Sequence, residues 1–131
     1  MTDVSLLLVA ALLGLVSLLT ASILRTRSWT REGRILGLGN REQLPEPSPI
    51  AGRADRAAKN LLESLPLFAC VMLAAHLAGA SPGPVTFGAH LFVWSRVVYW
   101  LVYLAGVRYV RTVVWLSSIA GMAVIAGAAL H

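Results

Sequence analysis

Four apolar runs divide this chain, and their lengths match a bilayer better than the core of a small globule. The first, residues 4–24, carries no charge at all. About 20 apolar residues cross a hydrocarbon core of roughly 30 Å as a helix. The second, residues 53–78, is amphipathic and charged in its first half (Arg53, Asp55, Arg56, Lys59, Asn60, Glu63) and almost wholly apolar after Ser64. Pro66 lies inside it, where a kink is expected. The break Gly79-Ala80-Ser81-Pro82-Gly83-Pro84 leads to a third run, 85–104, apolar except for His90, Arg96 and two tyrosines. A short connection around Gly106 to Arg111 precedes the fourth, 112–130, which has no charge. Residues 25–52 form a long polar loop whose glycines and prolines oppose a continuous helix. A connection of that length is of the kind that carries function. The pattern predicts an all-α membrane protein, a bundle of four transmembrane helices in a single domain.

Composition agrees: hydrophobic residues make up 57% of the chain and charged residues 13%. Soluble domains carry about 25% charged residues, so much of this surface faces lipid. The N-terminus reads Met1-Thr2-Asp3, acidic where a secretory leader is basic. The first run therefore reads as a retained helix. The net charge of +5 invites a nucleic-acid reading, but the arginines sit between apolar runs and in no groove-reading motif, so no nucleic acid is expected. Every Lys and Arg lies in the first loop, the start of the second helix, the end of the third, or the third loop. By the positive-inside rule the first and third loops are cytoplasmic and both termini lie outside. One cysteine, Cys70 in an apolar run, and three scattered histidines give no metal site.

Charged residues inside apolar runs are costly, about 2.5–3.5 kcal/mol each on insertion scales, and mark candidate sites. Arg56, Asn60 and Glu63 are spaced i, i+4, i+7, on one face of a helix; Arg53 can join them. Arg96, Tyr99 and Tyr103 repeat that geometry on the third helix, with Arg108 and Arg111 beyond. Cationic donors, an amide, a carboxylate and two phenols suit a small anion that also carries an amine. The same residues also admit a plainer arrangement, in which Glu63 and Arg96 form an internal ion pair and the tyrosines are interfacial anchors.

The string Arg56-Ala-Ala-Lys-Asn60-Leu-Leu-Glu63-Ser-Leu-Pro66-Leu-Phe68 resembles the second-helix signature of the MAPEG family, the membrane-associated proteins of eicosanoid and glutathione metabolism. Arg96, Tyr99, Tyr103 and a following arginine resemble the third-helix pattern, and Gly-Val-Arg108-Tyr-Val-Arg111-Thr is similar to bacterial members. Ser64 stands where several eukaryotic members have tyrosine.

The resemblance implies a homotrimer in a bacterial inner membrane. Glutathione, as cosubstrate and without a metal, is expected between subunits near the cytoplasmic face. It implies that Arg56, Asn60, Glu63 and Arg96 bind glutathione, that Tyr99 and Tyr103 line the pocket from the adjacent subunit, and that Arg111 stabilises the thiolate, with Arg108 its rival. The implied reaction is conjugation to a lipophilic electrophile, or reduction of a hydroperoxide. The alternatives are a non-catalytic membrane scaffold of the same fold and a transport component. A transporter would show paired broken helices, whereas Pro66 has no counterpart. The charge asymmetry makes its own prediction. A reporter fused after His131 should read as external, and a cytoplasmic signal would reverse the topology.

Overall fold

The computed structural model describes residues 2–131. It contains five helices: α1 (Asp3–Thr26), α2 (Arg31–Leu38), α3 (Pro49–Leu77), α4 (Pro82–Ala105) and α5 (Arg108–Ala129). Four of them, all but α2, are long and apolar enough to cross a membrane. The chain is an integral membrane protein.

The spans begin earlier than the apolar runs suggest, and the reason is capping chemistry. Ser48 caps α3, its side chain accepting from the Ala51 amide, and Pro49 occupies the first turn. Pro82 likewise opens α4. Proline costs nothing there, because its missing N–H would have had no partner. α3 also runs unbroken through Pro66. The third connection shrinks to Gly106 and Val107, so Arg108 and Arg111 belong to the start of α5. Part of the long polar loop is helical too: Thr30 caps α2 by accepting from Gly33 N–H at 2.9 Å.

α4 and α5 form the most extensive pair, α1 packs along α3, and α1 and α5 do not meet. The α4–α5 contact depends on Gly88 and Gly121. A Cβ on either residue would lie 2.6 Å from the other's carbonyl oxygen, closer than van der Waals contact permits. Small residues let helices approach this closely in lipid, where packing rather than the hydrophobic effect holds them together. The small-residue face of the last span is thus partly used within the chain.

The core changes character along the bundle. At the end where the chain starts, Leu6, Phe68, Met72, Phe92, Val93 and Ile125 are buried together, and the rings of Phe68 and Phe92 stack at 4.0 Å. Towards the arginine-rich end it narrows to Ala21, Ala54 and Ala58. Buried Ser17, Ser64 and Ser118 turn their hydroxyls to carbonyls three residues back, a local solution to burying a polar group. At the same end Arg53 donates from Nε to the Leu104 carbonyl at 3.0 Å. It covers an orphan carbonyl at the C-terminus of α4, where a positive charge is favoured. Arg53 is therefore a capping residue of a neighbouring helix.

Gly121→Leu should lower the unfolding free energy in detergent by about 1–3 kcal/mol, the usual cost of overpacking. Gly127→Leu should be nearly silent, since a Cβ there meets nothing within 4 Å. Equal thermal stability of the two variants would rule out the close α4–α5 contact.

Candidate functional site

Arg96, on α4, is turned inward towards α3. It is 1% exposed, and its Nη1 donates to Asn60 Oδ1 at 2.7 Å. Its Nε and Nη2 have no partner among the described residues. The guanidinium lies 5.4 Å from the Phe92 ring centroid and 5.6 Å from that of Tyr99. Aromatic faces attract a cation, but they do not satisfy N–H donors. The ion pair with Glu63 does not form. Glu63 points outward and is exposed, and the salt bridge among the described residues is Lys59–Asp55, an exposed pair at 3.0 Å. Such pairs contribute little.

The bond from Arg96 decides what Asn60 offers. An arginine can only donate, so the Asn60 oxygen faces Arg96 and its NH2 is left to point elsewhere. Next to it lies a cleft of about 170 Å³ lined by Asn60, Tyr99, Arg111, Thr112 and Trp115. Tyr99 and Tyr103 pack at 5.4 Å, and Arg111 sits 5.0 Å over the Tyr103 ring. Arg111 and the exposed Arg108 occupy the first turn of α5, which has no side-chain cap at Val107. Cations at a helix N-terminus oppose the helix dipole. Departures from a local rule of this kind are characteristic of functional sites. The positive end of the α5 dipole and Arg111 both favour an anion in the cleft.

Asn60, Arg96, Tyr99, Tyr103 and Arg111 are thus brought together. Arg56, Glu63 and Arg108 stay outside the cleft of this one chain, and all three are exposed. Ser64 is buried, bonded to Leu61 O, and does not line the cleft. Sequence reasoning missed Thr112 and Trp115. Trp115 was findable, because it follows Arg111 by four residues and shares its helix face. A larger cavity of about 550 Å³ opens at the other end of the bundle, among Leu7, Met72, His76 and Val85. It contains none of the predicted site residues.

The family model of the MAPEG family matches residues 5–131. The chain belongs to the MAPEG family. MAPEG members include glutathione transferases and peroxidases. Comparison with curated proteins and with solved structures gives no match. The four spans of this MAPEG protein agree with the family's four-helix bundle, and α2 lies in the first connection.

Asn60→Leu should remove the single hydrogen bond of Arg96 and cost about 1.5–3 kcal/mol, the range for a bond to a charged group. Combining it with Arg96→Met should recover much of that loss, since an apolar pair leaves no orphaned donor. Additive losses in a double-mutant cycle of detergent unfolding would show that the two side chains act independently.

Proposed function

We propose that this MAPEG protein is a membrane-bound, glutathione-dependent transferase or peroxidase acting on lipophilic electrophiles. The observation that carries the reading is Arg96: a buried guanidinium without a counter-ion, bonded to an asparagine whose amide opens on a cleft beside Arg111. A fixed positive charge in a low-dielectric setting is costly alone and becomes favourable when an anion arrives. Carboxylates and a thiolate are anions of the right kind.

In this reading Asn60 and Tyr99 hold glutathione, with Arg96 behind them supplying positive potential. Arg56 and Glu63 bind its charged groups, and Tyr103 lines the pocket. Arg111 stabilises the thiolate. A free thiol has a pKa of about 8.5, so little is thiolate at neutral pH, and the thiolate is the nucleophile. Support for Arg111 over Arg108 is positional: Arg111 lines the cleft and Arg108 does not. In conjugation the thiol proton leaves to solvent, sulfur bonds to the electrophilic carbon, and that carbon's leaving group departs. No protein nucleophile is needed, and Cys70 is not assigned one.

The cleft of one chain is small. Ligand pockets usually enclose about 300–1,000 Å³, so a tripeptide needs further walls. A homotrimer, with Arg56 and Glu63 meeting the cleft across a subunit boundary, would supply them. The arginine-bearing end would face the cytoplasm of a bacterial inner membrane, and the apolar flanks of the bundle would admit lipophilic substrates from the bilayer.

Arg111→Ala should leave glutathione binding largely intact but abolish the ultraviolet absorbance of the bound thiolate. Turnover should fall by about tenfold for each 1.4 kcal/mol of lost stabilisation. Arg108→Ala should keep the signal, and Glu63→Gln should weaken binding by roughly tenfold or more. If the wild-type protein forms no thiolate with glutathione, the scaffold reading replaces the enzyme.

A further inference from the structure

The short helix α2 is held in one orientation, and its outward face is unlike the rest of the loop. The chain leaves α1 at Arg27 in the left-handed conformation, φ 54°, and folds α2 back onto the end of α1. Contact is made through Gly33 and Gly37, four residues apart on one face. A Cβ at Gly33 would collide with the carbonyl oxygens of Thr26 and Arg27, and Gly37 lies over the Thr26 side chain. The remaining loop is tied down as well. Arg25 donates to the Pro45 carbonyl, and Arg41 donates to Ser22 Oγ at 3.1 Å and to the Gly37 carbonyl at 3.2 Å.

With that face packed, the helical period turns Arg31, Arg34, Ile35 and Leu38 outward. Ile35 is 64% exposed and Leu38 92%, and neighbouring Trp29 is 62% exposed. Arg31 and Arg34 make no side-chain hydrogen bond or ion pair among the described residues, unlike Arg25 and Arg41. Two free guanidinium groups, partly offset by the exposed Glu32 of the first turn, therefore sit with two bare aliphatic side chains near an indole, directly at the end of a membrane-spanning helix.

We propose that the outward face of α2 docks on anionic phospholipid headgroups of the leaflet at the arginine-bearing end. Three features select this occupant. The attachment to α1 keeps α2 at headgroup level. Ile35, Leu38 and Trp29 match the shallow apolar boundary below the headgroups, where tryptophan is enriched. Arg31 and Arg34 match lipid phosphates of excess negative charge. A water-exposed loop would gain nothing from these aliphatic side chains, and a purely apolar anchor would not need the arginines. This inference does not depend on the enzymatic reading.

The full-length protein, reconstituted in phosphatidylcholine bilayers that contain bromine-labelled phosphatidylglycerol or bromine-labelled phosphatidylcholine, tests it. The signal is the quenching of Trp29, obtained by subtracting the Trp29→Phe protein so that the other tryptophans cancel. Phosphatidylglycerol should be preferred by about tenfold, from two arginines near a charged surface with Glu32 partly offsetting them. High salt should suppress the preference. Arg31→Gln with Arg34→Gln should abolish it while quenching by both lipids persists. Ile35→Ser with Leu38→Ser should reduce quenching by both. Equal quenching of the wild type by the two lipids would overturn the anionic preference. Absence of quenching by either would show that α2 faces water, a second copy or another protein, and would overturn the proposal entirely.

Discussion

Arg96 sets the terms for the arginine-rich half of this bundle. A guanidinium keeps its charge at any physiological pH, so burial among helices leaves only two options: donors find acceptors, or the charge waits for an anion. The bundle does the first in part, through Asn60, and surrounds the rest with the faces of Phe92 and Tyr99. Alanines at positions 21, 54 and 58 let the helices close in beneath it. The aromatic stack of Phe68 and Phe92 then begins the dry part of the core. The boundary between a polar end and an apolar end is thus drawn at this one side chain.

Asn60 converts that charge into something usable. Its oxygen is held by Arg96, which leaves its NH2 free to donate at the cleft, and the ring of Tyr99 lies against the same guanidinium. Arg111 is supplied by a different helix, and its position depends on the close contact of Gly88 with Gly121. Three helices therefore meet at one small space, each fixed by an interaction outside it: the Ser48 cap for α3, the Arg53 bond at the end of α4, the glycine contact for α5. Support of this kind lets a site hold geometry that its own residues do not stabilise.

The two ends of the protein have separate tasks in this arrangement. The arginine-rich end gathers the cleft, the cap from Arg53 and the α2 platform. The opposite end is a packing module whose larger cavity is mostly apolar. In the proposed reaction a lipophilic reactant and a water-soluble thiol would meet at the interface between their phases, at the polar end of the bundle. The α2 platform would hold that end at a fixed depth.

The spans, the polar loop and the family were legible in the sequence, because each is local or periodic. Twenty apolar residues in a row have one solution in lipid, and the spacing of Arg56, Asn60 and Glu63 is visible without coordinates. Helix boundaries were less legible: prolines at 49 and 82 look like breaks in a string, yet sit in first turns where their missing N–H is harmless. Tertiary structure alone decided which polar residues meet. Helical spacing places Asn60 and Glu63 on one broad face, but only the rotation of α3 against α4 turns Asn60 towards Arg96 and leaves Glu63 outside. Likewise, Gly33 and Gly37 read as helix breakers until α1 is present to fill the space beside them. The physical reason is the same in both cases: periodicity specifies a face of a helix, while the partner of that face depends on side chains dozens of residues away.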